Sequence, residues 1–447
     1  MKTIYGDTKG TLTGTRIGKS QTLSGNTDQD YVIFGDARSI TDKARGGGDT
    51  LIGYGSVTNT FYGDAYGLYR YATGGNDKLT LNSDPRYPSP TSNIPQDKNT
   101  FFGDAYTMSD SSIGGQDTFY HLGHRQVVGT FFGDAYSMSE QARGGNDTFV
   151  SERGSGTYYG DAYRMSGSSI GGNDRITGGS DYVTSSTIYG DAYSMSGNTR
   201  GGNDILTLGT TTRGVIYGDA LTMLDNARGG NDTINSTYFR YVDALYGDAQ
   251  TMTGKTIGGN DTFNVSGSPK LYGDAYEMLD SARGGNDTFN LGGWFGIQVV
   301  YGDAYTMSGK TQAGNDEIIG SNARGHDLYG DAYEMSGNAR GGDDRIIAGT
   351  GASNMWGDAA VMRDQAVGGN DTFVFAKTFG NTRIHDFQDG KDRLEVDVDP
   401  NVRWQDQVSW SKIGADTVID VHGSTTNGDI VLVSFRGTLS GSDFDFV

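Results

Sequence analysis

Two aspartates thirteen residues apart recur twelve times along this chain, and that fixed interval restricts its folds more than any other feature. The first lies in Gly-Asp-Ala and is Asp36, Asp64, Asp104, Asp134, Asp161, Asp191, Asp219, Asp248, Asp274, Asp303, Asp331 and Asp358. The second lies in Gly-Gly-Asn-Asp or a near variant and is Asp49, Asp77, Asp117, Asp147, Asp174, Asp204, Asp232, Asp261, Asp287, Asp316, Asp344 and Asp371. From each second aspartate to the next first one the interval varies between 13 and 27 residues. One half of the repeat therefore has fixed geometry, and the other is a loop free to change length. A solenoid has this property, because stacked coils must match where they touch and can differ where they do not.

The expected fold is mostly β: a parallel β-solenoid, β-roll-like, of about 13 coils of ~28 residues with a C-terminal β cap. Residues 1–30 form a capping coil in this reading, 31–375 the repeat solenoid and 376–447 the cap. In the first coil Tyr5-Gly6-Asp7 is present, but Ser20 stands where the second aspartate belongs. Short β-prone segments flank the anchors, such as Thr130-Phe131-Phe132 and Thr148-Phe149-Val150, too short for helices. Between the anchors two conformations compete. Ala at +1, Met or Leu at +4 and a small residue at +8 from the first aspartate fit one face of a short helix capped by that aspartate. Tyr at +2 with Met at +4 fits a strand. The longest variable interval carries Pro85, Pro88, Pro90 and Pro95 and predicts an extended, exposed loop over 82–99.

Composition narrows the function classes. Glycine is 72 of 447 residues against roughly 7% in an average protein, and proline only 6, which suits a tight turn in every coil. With 27 Tyr and 19 Phe the chain can fill a narrow core. The stripes of Tyr66, Tyr106, Tyr136, Tyr163 and Tyr193, and of Met108, Met138, Met165 and Met195, are expected inside it. A net charge of −20 disfavours nucleic acid and anionic membrane surfaces, and no apolar run reaches the ~18 residues of a membrane span. Without cysteine there is no disulfide or thiolate site. The N-terminal residues lack the apolar core of a secretory signal peptide.

Paired aspartates beside glycine turns supply the carboxylate and carbonyl oxygens that hard cations require. Stacked at about 4.8 Å, like charges repel by roughly 0.9 kcal/mol per neighbour even at the dielectric of water. A helix cap at the first aspartate or an Asx turn at the second offsets a repulsion of that size, so magnitude alone does not decide. Calcium is expected at some coils, with these 24 aspartates as candidate ligands and the second-anchor set favoured over the first. Arg143, Arg228, Arg283, Arg324 and Arg340 recur near the second anchor and compete as partners for the same carboxylates. Catalysis is not expected. His121-Leu122-Gly123-His124 lacks the spacing and glutamate of a zincin, no G-x-S-x-G elbow occurs, and identical acids in every coil are not a differentiated acid/base pair.

Gly230-Asn231-Asp232-Thr233-Ile234 resembles the second half of the nonapeptide of the repeats-in-toxin (RTX, hemolysin-type) calcium-binding family, and Tyr217-Gly218-Asp219-Ala220 resembles an opening turn of that repeat. Nine residues look inserted between the two halves, in every copy. Residues 370–394, with Ile384-His385-Asp386-Phe387, resemble the segment that closes the β-roll of serralysin-type proteins, and the terminal Asp443-Phe444-Asp445-Phe446-Val447 resembles their C-terminus. The resemblance implies calcium, export by a type I (ABC) exporter through an uncleaved C-terminal signal, and folding outside a bacterial cell. The expected function is a secreted calcium-binding structural protein of the bacterial surface: a surface-layer, matrix/adhesin or filament subunit that self-associates. The alternative is a solenoid module binding extracellular polysaccharide or ice.

Overall fold

The computed structural model describes the chain except residues 87–97, 124–126, 180–184, 210–212, 237–241, 294–296, 324, 400 and 423–427. Most of the proline-rich loop, His124 and Arg324 therefore lie outside the described residues. Two compact units are present, one built on Met1–Ser236 and the other on Ala244–Val447. Both are parallel β-solenoid, with about 12 turns at a spacing of ~28 residues in all.

Each turn contributes three short strands to three parallel sheets. In the first unit one turn is Val128–Phe132, Ala135–Met138 and Thr148–Ser151, and the next is Ser155–Tyr159, Ala162–Met165 and Arg175–Thr177. Equivalent residues pair: Phe131 with Tyr158, Met138 with Met165, Phe149 with Ile176. The second unit repeats the pattern, with Leu271 opposite Val300, Met278 opposite Met307 and Phe289 opposite Ile318. Identical residues are superposed because the 13-residue interval contains the middle strand and both its turns. All length variation falls between the third strand and the next first strand.

The segment between anchors is extended, so no helix forms and the first aspartate is not a helix cap. In Ala135–Met138 the first and last residues point inward while Tyr136 and Ser137 both point outward. The register pairs +1, +3 and +4 with their equivalents but skips +2, as in Ala135–Ala162, Ser137–Arg164 and Met138–Met165. This local kink gives a strand the three-residue apolar spacing of a helix face. What rules the helix out is position +6, which has positive φ in all twelve repeats, from Asp42 (φ 64°) through Gly167 (73°) to Asp364 (59°). A left-handed residue cannot sit inside a right-handed helix. Aspartate tolerates the conformation by bonding the turn before it: Gly197 N donates to Asp225 Oδ2 at 3.0 Å and Gly337 N to Asp364 Oδ2 at 3.1 Å.

The interior is filled by ladders of like residues. Met108, Met138, Met165, Met195 and Met223 are fully buried in one unit, and Met252, Met278, Met307 and Met335 in the other. The tyrosine stripe is a correction to the expected core. Tyr106, Tyr136, Tyr163 and Tyr193 are only half-buried, Tyr66 is 44% exposed, and their rings stack along the outside at 4.7–5.1 Å. A second aromatic file, Tyr5, Phe34, Tyr62, Phe102, Phe132, Tyr159, Tyr189 and Tyr217, packs beside it at 4.7–5.0 Å. In the second unit Thr382–Ile384 and Arg393–Val396 continue the parallel pairing. Val408–Ile413 and Asp416–Val421 then form an antiparallel hairpin.

The two stripes are thus separable by mutation. Met165→Ala should cost about 2–5 kcal/mol of stability, as for other buried methionines. Tyr163→Ala gives up two ring stackings and an edge contact with Tyr159, worth about 0.5–1.5 kcal/mol each, but leaves no internal cavity and should cost less. Denaturant unfolding of both variants checks the order.

Candidate cation site: two files of buried aspartates

The Gly-Asp-Ala turn closes the first strand of each coil, and the Gly-Gly-Asn-Asp turn opens the third. Both turns carry their aspartate side chain inward. All 24 repeat aspartates are consequently buried, the first-anchor set 0–1% exposed and the second-anchor set 1–2%. Within each unit the two sets form two adjacent files.

The glycines make this possible. A Cβ on Gly133 would lie 1.6 Å from the carbonyl oxygen of Gly160 in the next turn and 2.1 Å from Asp147 Oδ2. A Cβ on Gly144 would lie 1.7 Å from Asp161 Oδ1 and 2.6 Å from Asp134 Oδ2. Those positions can only be glycine if the carboxyls are to pack between turns.

Each carboxyl has one good main-chain donor. In the first file Gly145 N donates to Asp134 Oδ1 at 2.9 Å and Gly172 N to Asp161 Oδ1 at 2.7 Å. In the second file the donor comes from the preceding turn: Asp117 N donates to Asp147 Oδ1 at 2.6 Å, and Asp147 N to Asp174 Oδ1 at 2.6 Å. The second unit does the same, with Gly314 N on Asp303 and Asp316 N on Asp344. The remaining oxygens find no protein donor at Asp77, Asp117, Asp147, Asp174 and Asp204, or at Asp134, Asp161 and Asp191. In the second unit this is true of Asp274, Asp303, Asp316, Asp331, Asp344 and Asp371.

Moreover, the carboxyl of Asp161 stands within hydrogen-bonding reach of those of Asp134 and Asp191. Two ionised carboxylates cannot satisfy such a contact; a shared proton or a cation is required. Burial, and then neighbouring carboxylates, hold these groups above the ordinary range. Asp49 is pushed up to about 7, and Asp134 and Asp303 also to about 7. Asp174 is raised well above the usual value by burial and then by Asp161 and Asp204.

At the outer end of the first unit's files the Lys19 ammonium lies 3.9 Å from Asp7 Oδ1. Lys19 N donates to Asp7 Oδ2 at 2.9 Å, with Gln21 Nε2 on Asp7 Oδ1 at 2.8 Å. Gln21 rather than Ser20 occupies the second-anchor place, since its N–H donates to Asp49 Oδ1 at 2.6 Å. At the other terminus Gln388 Nε2 donates to Asp358 Oδ2 at 2.6 Å; burial raises the pKa values of Asp358 and Asp392, and the Lys391 charge offsets part of that rise. Asp386 and Asp392 prolong the files there, accepting from Gly357 N and Asp371 N. The sequence hid these two because they are 6 residues apart and not 13. The repeat arginines do not pair with the files: Arg143, Arg228, Arg283 and Arg340 are exposed. Nor do the histidines gather among the described residues. His121 is buried with Nδ1 3.0 Å from Tyr158 Oη, and burial lowers its pKa to about 4, while His385 stacks on Trp356.

The donor set suits a hard cation: it is oxygen only, with two or more orphaned carboxyl oxygens in contact between successive turns. Among the described residues no three acidic or imidazole side chains converge on one point. Any ion bound there would have to draw its ligands from carboxyls of adjacent turns.

The raised pKa values fix a pH dependence for the cation-free protein. A carboxyl whose folded pKa lies above its unfolded value of 3.8 stabilises the fold fully below that value and loses the contribution as pH rises through the folded pKa. Stability in chelator should fall between about pH 4 and pH 8, as Asp49, Asp134 and Asp303 pass about 7. His121, His326 and His385, all lowered by burial, act in the opposite sense below 6.5 but are three groups against many. Thermal melts across that range check this; a midpoint that rises with pH would contradict it.

A scan against protein-family models and a search of curated proteins each gave no match to this chain. The likeness to the calcium-binding repeats consequently rests on the motifs themselves.

Proposed function

We propose that this chain is a secreted, calcium-binding structural protein of a bacterial surface, exported by a type I exporter, whose solenoid folds and assembles outside the cell. The observation that carries the reading is the pair of buried carboxyl files. Ionised and empty, they oppose folding; loaded with cations, they cross-link each turn to the next. Metal affinity is then folding free energy, so such a chain stays open where calcium is scarce and closes where it is plentiful. The residues that would hold the ions are the two repeat aspartates of successive turns, Asp134, Asp147, Asp161 and Asp174 being one such set. Calcium supplies charge neutralisation and coordination there, and no catalytic step is part of this reading.

Self-association has support in the outer faces. Thr60, Thr100, Thr130, Thr157 and Thr187 lie in register on the first sheet, parallel to the tyrosine ladder on the second. Repetitive flanks of this kind pair with copies of themselves at low cost in specificity. The tyrosine ladder is a poor sugar platform, because neighbouring rings cover one another's faces and leave only edges and hydroxyls outward.

Circular dichroism and sedimentation during a calcium titration, with a chelator control, test the reading. The expected result is a calcium-dependent gain of β signal at neutral pH followed by assembly. Replacing Asp161 and Asp174 together by Asn should weaken the calcium response and make the fold less dependent on pH. Full β structure in chelator at pH 8, unchanged by calcium, would overturn it.

A further inference from the structure

On one turn edge of the first unit two adjoining depressions of about 300 and 350 Å³ share Tyr71, Ser111 and Gln141. Arg70, Asp110 and Glu140 line one of them, and Ile113 and Arg143 the other. A second, independent feature marks the same place. Of the twelve left-handed residues at position +6, ten are glycine or aspartate, the types suited to that backbone. The two departures are Arg70 (φ 65°) and Glu140 (φ 61°), and both line this groove. Arg70 pairs with Asp42 of the turn before, but Glu140 makes no such contact among the described residues, and the next two turns use Gly167 and Gly197 at the equivalent position. Strain retained where the neighbouring copies avoid it points to a task for the side chain.

We infer that this groove is a binding site for a neutral oligosaccharide. A sugar ring offers an apolar C–H face and a rim of hydroxyls that both donate and accept. Tyr71, 64% exposed and outside both aromatic ladders, supplies a flat surface for the C–H face. Asp110 and Glu140 accept from hydroxyls, while Arg143 and Gln141 donate to them. Glu140 and Arg143 are exposed and make no side-chain hydrogen bond or ion pair among the described residues, so their capacity is unspent. The Arg70 guanidinium is paired with Asp42 of the preceding turn, which lies outside the groove's lining. With Arg70 neutralised by Asp42, Arg143 stands against Asp110 and Glu140, so the groove carries one net negative charge, which disfavours an acidic ligand, while its hydroxyl acceptors suit an uncharged one. The site is independent of the aspartate files, which lie on the inner side of the wall.

The test is an array of short neutral gluco-, manno- and galacto-oligosaccharides probed with the full chain in calcium buffer, followed by titration of any glycan retained. Tyr71→Ala and Glu140→Gly should each weaken binding by about tenfold or more. Glu140→Gly removes backbone strain, so its thermal midpoint should stay level or rise; loss of binding then cannot be loss of fold. Three outcomes would overturn the assignment: no neutral glycan retained, retention of acidic glycans alone, or binding that both variants leave unchanged.

Discussion

Parallel strands about 4.8 Å apart place every side chain over its own counterpart, and the whole structure follows from what each residue type does when stacked on itself. For aspartate the outcome turns on burial. At the dielectric of water the repulsion between neighbours is roughly 0.9 kcal/mol, and a single hydrogen bond offsets it. At the effective interior dielectric of about 20 it becomes about 3.5 kcal/mol for each neighbour. One N–H per carboxyl, as Gly145 gives Asp134, contributes about 1.5–3 kcal/mol and does not balance two neighbours. The buried files are thus stable only with protons or cations between the turns, and the end donors Gln21 and Gln388 reach only the outermost carboxyls.

The other ladders show the same rule with favourable sign. Rings stack on rings, methionine packs on methionine, and the exposed Asn at +12 forms runs of a hydrogen-bonded zipper within each unit. Asn173 N donates to Asn146 Oδ1 at 2.8 Å and Asn203 N to Asn173 Oδ1 at 2.7 Å. This file donates toward the preceding turn, whereas the second-anchor aspartates accept from it, as Asp147 does from Asp117 N. Two opposed hydrogen-bond ladders one residue apart hold the turn in register even where the adjacent loops differ in length.

How much of this was legible in the chain depends on whether a feature repeats. The 13-residue interval gave the solenoid, the fixed and variable halves, and the two aligned files. It did not decide helix against strand, because a kinked strand with Tyr136 and Ser137 both outward imitates the apolar spacing of a helix. The deciding signal was present at +6, where Asp and Gly alternate along the repeats; that is turn chemistry, and a helix would have no use for it. Burial of the aspartates could not be read from composition, since Gly-Asp turns are usually at the surface. Gln21, Asp386 and Gln388 were hidden for a different reason: they act by three-dimensional position at file ends, where the period breaks.

A stack of like turns also determines where new function can arise. Each turn touches only its neighbours, so an outward substitution changes one site and leaves the rest of the stack intact. Inward positions lack this freedom, since a change at Met165 or Gly144 is felt by the turns above and below. The loops between third and first strands vary most, but their variation is in length, which gives no fixed geometry. Position +6 differs from both: its backbone is rigid and its side chain points out. A departure from Asp or Gly there, as at Arg70 and Glu140, places a chosen group at a defined spot on a regular surface, at a backbone cost that repetition makes visible.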